Sequence, residues 1–302
     1  MSQNPAAKKQ SSGIDFTPTI RSDTYEFIKP EQWDLSSRAV FITGASKGLG
    51  KDNAVSFARA GASKIAIAAR SSLDDVAKEM KQAAQKAGRP EPVILTLKVD
   101  VVDKQSVSDA ATKIEKEFGG LDIVINNAGA LENFKNIADS DPDEWWWTWQ
   151  VNTFGAYLTV RATIPLLLKK NDGLKTVLNV SSIGAHIIMP GASAYQTGKM
   201  ALIRFSEFIN AEYGERGVLS FAAHPGGVPT ELAKGMPEGM HRVLIDKPAL
   251  AADTFVWLTA ERRDWLAGRY ISSTWDMKEF SDMKDDVVKK DLLKVRLDVG
   301  YE

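Results

Sequence analysis

Apolar residues along this chain gather into short runs separated by longer stretches of mixed polarity. From Arg38 onward, runs of strand length fall at Ala39–Thr43, Lys64–Ala69, Val93–Val99, Leu121–Asn126, Thr176–Ser181, Val218–Ala223 and Tyr270–Ser272. Between most of them lie amphipathic stretches of helical length: Leu49–Ala60, Leu73–Ala87, Lys104–Phe118, Asp143–Lys169 and Tyr195–Tyr213. Strands that are apolar throughout, rather than alternating, must be covered on both faces, and helices between them supply the cover. The pattern predicts an α/β fold: a single doubly wound Rossmann domain with a mostly seven-stranded parallel sheet and helices on both faces.

Two segments stand outside the alternation. Residues 1–37 read as an N-terminal extension with a disordered start of about ten residues, after which Phe16, Tyr25, Phe27 and Trp33 are expected on the surface of the main domain. Residues 274–302 read as a C-terminal tail whose charge-rich Asp282–Lys290 stretch predicts a solvated helix. The catalytic domain is then expected over residues 38–273, with a substrate lid near 229–247.

Composition narrows the chemistry. Lys plus Arg number 38 against 39 Asp plus Glu, so there is no basic excess for a nucleic-acid partner. With no cysteine and three histidines (His186, His224, His241), no metal site and no disulfide is expected. Apolar runs such as Ile65–Ala69 fall far short of the ~20 residues of a membrane span, and Met1–Gly13 holds no hydrophobic leader. A soluble, cytoplasmic protein is the expectation.

The first strand runs into Thr43-Gly44-Ala45-Ser46-Lys47-Gly48-Leu49-Gly50 and then a helix. Glycines at 44, 48 and 50 permit a tight turn and close approach of backbone to a pyrophosphate at the helix N-terminus. Their spacing, Gly-x3-Gly-x-Gly, differs from the common dinucleotide fingerprint. An NAD site places an acidic residue about 20 positions further on, for the ribose 2′-hydroxyl. Here Arg70 occupies that place, preceded by Ala68 and Ala69. A guanidinium suits a 2′-phosphate, and Lys47 adds a second positive charge, so the expected cofactor is NADP(H).

These residues, with Asn126-Asn127-Ala128-Gly129, Asn152, Ser182, Tyr195-x3-Lys199 and Pro225-Gly226, stand in the order and spacing of the short-chain dehydrogenase/reductase family, which the chain resembles over about Leu35–Ser273. The N-terminal extension and Trp265-Leu266-Ala267-Gly268-Arg269-Tyr270 look like members from filamentous fungi. The resemblance implies a catalytic set of Asn152, Ser182, Tyr195 and Lys199. Tyr195 would be the acid/base. Lys199, four residues on and on the same helix face, would lower its pKa and hold the nicotinamide ribose. Ser182 would polarise the substrate oxygen, with Ser181 turned to the opposite side. Asn152, at a local irregularity in the long fourth helix, would hold a water linked to the lysine.

The same resemblance implies cofactor contacts from Gly44, Ser46, Lys47, Gly48, Leu49, Gly50, Arg70, Asp100, Val101, Asn126, Ala128, Gly129, Tyr195, Lys199, Pro225, Gly226, Val228 and Thr230. Substrate contacts would come from Ser182, His186, Met189 and Tyr195. His224 is expected to be a packed histidine. Trp145, Trp146, Trp147 and Trp149 point around most of a helical turn, so they are expected to pack in the core or between subunits. Glu231–Lys247, with Met236, Met240, Val243 and Leu244, would form a lid over a partly apolar pocket.

The functional expectation is an oxidoreductase interconverting a ketone and a secondary alcohol on a medium-sized, partly hydrophobic small molecule. It would assemble as a homotetramer or homodimer through Asp143–Lys169 and Tyr195–Tyr213. Two alternatives stay open: reduction of an activated C=C or imine, and a non-catalytic NADP(H)-binding protein.

Overall fold

Each apolar run becomes a strand of one parallel sheet. The structure, a computed structural model, describes residues 12–297; the expected disordered start lies outside them. The strands are β1 (Ala39–Thr43), β2 (Lys64–Ala69), β3 (Val93–Lys98), β4 (Ile123–Asn126), β5 (Thr176–Val180), β6 (Leu219–His224) and β7 (Tyr270–Ser272). Their spatial order is β3-β2-β1-β4-β5-β6-β7, all neighbours parallel. β1, β4, β5 and β6 are buried at every position, as unbroken apolar runs require. β3 differs. It is the sheet edge, and Val93 is 58% exposed.

The principal helices are α1 (Gly48–Arg59), α2 (Asp74–Lys86), α3 (Lys104–Phe118), α4 (Pro142–Trp149), α5 (Gly155–Leu168), α6 (Ser193–Tyr213) and α7 (Pro248–Thr259), followed by the short α8 (Met277–Asp282) and α9 (Lys284–Lys289). The single long helix expected over 143–169 is divided. Asp141 caps α4 by accepting from the Asp143 and Glu144 amides, and a π-helical segment, Gln150–Phe154, separates α4 from α5. α7 escapes an amphipathic search because every residue from Leu250 to Thr259 is buried, leaving no polar face to set a period.

Both ends of the described chain enter the main core. Ile28 and Leu35 are fully buried, and Phe16, Tyr25, Phe27 and Trp33 pack half-buried against the same cluster. Phe16 lies 4.9 Å from Trp275, ring centre to ring centre, and Trp275 lies 5.3 Å from Phe280. The Thr19 amide and hydroxyl donate to Glu279, and Arg21 pairs with Asp276. The stretch expected to be solvated buries Val287, and Phe280 just before it is also in the core. Its charges line the outer side only.

At the amino-terminal edge of the sheet, the fully buried Asp122 accepts from the Ala39 amide and pairs with Arg38 and Lys170. At the opposite, carboxyl edge the strand order reverses between β1 and β4. A parallel sheet opens a crevice there.

Candidate active site

The glycine turn at the end of β1 is held from β4. The Thr43 hydroxyl accepts from the Asn127 and Ala128 amides, both at 3.1 Å, and the Asn127 side chain donates to the carbonyls of Thr43 (2.9 Å) and Gly44 (3.2 Å). Gly44 has φ of 68°, and a Cβ there would stand 2.8 Å from the Ala128 Cα. A Cβ on Gly50 would stand 2.2 Å from the Gly44 carbonyl oxygen. The turn thus has no room for a side chain at Gly44 or Gly50. Ser46, Lys47, Gly48, Leu49 and Gly50 lead into α1, whose first turn carries no acidic residue and no side-chain cap. Its amides are left for an anion.

Around this turn stand the other expected cofactor contacts. Arg70 is exposed at the end of β2, its guanidinium carbon 6.0 Å from the Trp147 ring centre. Val101 is buried under Gly155, where a Cβ would approach within 2.8 Å of Val101 Cγ2. Asp100 is half-buried and accepts from the Val102 amide. The Asn126 side chain donates to Asn179 (2.7 Å), whose amide donates to Ser206 (2.9 Å), a buried ladder from β4 through β5 to α6. Beyond β6, Gly226 (φ 91°) leaves room for Asp246, which accepts from the Gly227 amide at 2.6 Å. Pro225 is half-buried and Val228 buried on the same turn. Thr230 reaches back to Gly48, where a Cβ would lie 3.3 Å from its methyl group.

The expected catalytic residues converge above β4 and β5. Gly129 marks their meeting point: a Cβ there would lie 3.1 Å from Asn152 Oδ1 and 3.6 Å from Lys199 Nζ. Asn152 sits within the π-helical segment, buried, accepting from the Ala130 amide (3.1 Å) and donating to the Ala130 carbonyl (2.8 Å). π-Bulges often accompany functional sites. Ser182 follows β5, its hydroxyl accepting from the Gly184 amide at 3.0 Å. Ser181 turns the other way and donates to the Lys199 carbonyl at 2.8 Å.

The electrostatics differ from a simple tyrosine–lysine pair. Lys199 is buried, donates to the Val180 carbonyl at 2.8 Å, and lies 5.5 Å from the Tyr195 ring centre. Burial lowers its pKa to about 8. Burial also pushes the Tyr195 phenol up; the Ser182 hydroxyl opposes this and the Glu132 charge adds to it. His186 stands edge-on to Tyr270 at 4.4 Å, its pKa lowered by burial. The Met189 amide donates to Gln196, and its side chain is half-buried.

The lid region folds as short 3-10 turns, Ala233–Gly235 and Glu238–Val243. With Phe134 and Lys135 opposite, Met236 and Pro237 border a cleft of about 550 Å³. The tryptophans divide three ways. Trp145 stacks on Trp149, and their indoles donate to Ser193 and Thr197 of α6; Trp146 is exposed; Trp147 faces Arg70.

Three contributors were not singled out from sequence: Glu132, Asp246 and the side chain of Asn127. Asn127 had a signal, since it lies inside a named motif. Glu132 and Asp246 had none, because their partners are 62 and 19 residues away.

A glycine turn opening at a strand-order switch is the arrangement of a dinucleotide-binding α/β protein. The short chain dehydrogenase family model matches residues 38–241, and the chain belongs to that family, oxidoreductases that use a nicotinamide cofactor on small molecules. It is 50% identical over 287 residues to the short chain dehydrogenase citE of Monascus ruber, covering 95% of this chain and 98% of that one. It is 49% identical to the short chain dehydrogenase pigC of the same organism, covering 93% of each. Among solved structures, a short-chain type dehydrogenase/reductase from Mycobacterium marinum aligns with a TM-score of 0.69 at 25% identity, covering 79% of this chain and 94% of that one. Carveol dehydrogenase from Mycobacterium avium, in complex with NAD, shares the fold at a TM-score of 0.70 and 21% identity, covering 80% and 97%.

Proposed function

We propose that this chain is an NADP(H)-dependent oxidoreductase that interconverts a ketone and a secondary alcohol on a medium-sized, partly hydrophobic small molecule, with Tyr195 as the acid/base. The observation that carries the reading is the convergence at Gly129, where Asn152 Oδ1 and the Lys199 ammonium meet, with the Tyr195 ring centre 5.5 Å from that ammonium. The Ser182 hydroxyl and the Tyr195 phenol can then both address one substrate oxygen. When bound, the nicotinamide cofactor supplies or accepts the hydride. Tyr195 gives the oxygen its proton during reduction and removes it during oxidation. Ser182 holds that oxygen and polarises the bond. A phenol held above its ordinary pKa favours the proton-donating direction at neutral pH. Alcohol oxidation, which needs the phenolate, should gain rate as pH rises.

The cleft near the lid has a mixed lining, with Phe134, Met236 and Pro237 beside Lys135, Asp139, Asp141, Glu144 and Glu238, in keeping with a substrate that is only partly hydrophobic. Arg70 at the end of β2 and Lys47 in the glycine turn support NADP(H) over NAD(H). The test is a set of four variants, assayed by NADPH absorbance against a panel of cyclic and aryl ketones and by cofactor titration. Tyr195→Phe keeps the ring and removes the proton, so turnover should fall by about 10²–10⁴ while cofactor affinity holds. Lys199→Ala should lose both. Ser182→Ala should lose mainly turnover, and Ser181→Ala neither. Near-normal turnover in Tyr195→Phe would overturn the mechanism and bring forward the C=C or imine reaction.

A further inference from the structure

Helix α6 carries both Tyr195 and Lys199, yet its own sequence does not cap it. Its N-cap is Ala192, which offers no side-chain acceptor, and its first turn has no acidic residue. The amides of that turn would stand unsatisfied in a buried setting, at a cost per group comparable to a lost hydrogen bond. The acceptor comes from elsewhere in the fold. Glu132, in the segment following β4, is 5% exposed, and its Oε1 accepts from the Ala194 amide at 2.9 Å and the Tyr195 amide at 3.0 Å. Its Oε2 also accepts from the Tyr195 amide, at 3.1 Å.

The same segment is held two residues earlier. Ala130 is clamped through both its amide and its carbonyl by Asn152. The stretch from Gly129 to Glu132 thus links the π-helical segment, the Lys199 ammonium beside Gly129, and the backbone of Tyr195. We propose that Glu132 is a positioning residue for the reaction: its carboxylate seats the first turn of α6, and with it Tyr195, against the segment that Asn152 holds. The proposal rests on Tyr195 being the acid/base.

A distant carboxylate does something a local cap would not. A serine or aspartate at position 192 would satisfy the amides without tying α6 to the β4 side of the crevice. Glu132 fixes that distance, and it sets a negative charge near the phenol. The groups facing the phenol are the Ser182 hydroxyl at the end of β5, the Lys199 ammonium on α6 and the Glu132 carboxylate. From α4 the neighbours on this turn are uncharged indoles, Trp145 bonding Ser193 and Trp149 bonding Thr197. Glu132 opposes ionisation of Tyr195 and also cancels the positive end of α6, which would favour it. The tyrosine therefore keeps its proton for delivery.

The experiment compares Glu132→Ala, Glu132→Gln and Tyr195→Phe with the unmodified protein. It measures kcat and KM for a ketone the unmodified protein reduces, NADPH affinity by fluorescence titration, the pH dependence of kcat, and melting temperature. Misplacing a catalytic group by about 1 Å can cost on the order of 10²-fold, so Glu132→Ala should lose kcat on that scale with KM and NADPH affinity little changed. Glu132→Gln keeps an acceptor oxygen and loses the charge. It should recover most of kcat, while the inflection belonging to the phenol moves to lower pH. Should Glu132→Ala fail to fold, Glu132→Gln decides alone: an unmoved inflection overturns the proposal. So does a Glu132→Ala protein that melts earlier but keeps its kcat, since that describes a helix cap and nothing more. Near-normal turnover in Tyr195→Phe would instead remove the underlying mechanism, and the proposal with it.

Discussion

Arg70 offers the most direct handle on cofactor choice. It stands exposed at the end of β2, where a carboxylate would hold a ribose 2′-hydroxyl, and its one close neighbour of note is the Trp147 indole at 6.0 Å. Hydrogen bonds to a charged group are worth about 1.5–3 kcal/mol, and an exposed site belongs at the lower end, about 1.5–2 kcal/mol. At 1.4 kcal/mol per decade, that is roughly 10–30-fold in favour of a 2′-phosphate. The unmodified protein should show kcat/KM at least tenfold higher with NADPH than with NADH. Arg70→Ala should lose about that factor with NADPH and almost nothing with NADH, because NADH presents no phosphate for the guanidinium to hold. The assay is kcat/KM for each cofactor at fixed ketone and low salt, where exposed charges are least screened. Equal efficiency with both cofactors in the unmodified protein would refute the reasoning. So would an Arg70→Ala protein that loses both equally, which would mark Arg70 as part of the fold rather than the selector.

Two further outcomes follow from burial. His224 is buried with its pKa lowered to about 3 by desolvation and by His186, so the unfolded chain binds the extra proton as pH falls below 6.5. The folded state should therefore lose about 2 kcal/mol between pH 7 and pH 5 from this group. His224→Gln should flatten that slope in urea titrations at the two pH values, and an unchanged slope would rule the histidine out as its source. On the outer faces of α5 and α6, Tyr157 (44% exposed) and Phe208 (56% exposed) flank a groove of about 680 Å³. We propose that this face pairs with a second copy, giving a dimer or tetramer of closed symmetry. Light scattering should report a multiple of 33.1 kDa at micromolar concentration, and the monomer mass would refute it.

Much of this molecule was legible along the chain. Unbroken apolar runs such as Ala39–Thr43 and Thr176–Val180 mark strands buried on both faces, and the glycines mark a tight turn in which positions 44 and 50 admit no side chain. The four-residue step from Tyr195 to Lys199 puts both on one face of a helix whatever else the fold does. These are local properties, and local sequence decides them.

The tertiary structure decided the rest. α7 was hidden because burial on every side erases the period that identifies a surface helix. The division of the long helix at Gln150–Phe154 is tied to Asn152, whose side chain bonds Ala130 from a different element. Phe16 and Trp275 stand at opposite ends of the sequence and touch. Lys199 is four residues from Tyr195, but only the fold turns its ammonium to the Val180 carbonyl and buries the phenol, which holds that phenol above its ordinary pKa. Glu132 is the sharpest case, since nothing in its neighbours along the chain announces a cap for a helix beginning 61 positions later. Periodicity and turn chemistry act over a few residues, and a chain read alone reveals them. Desolvation, long-range capping and the meeting of distant side chains depend on which surfaces the packed sheet brings together, and those exist only once it has formed.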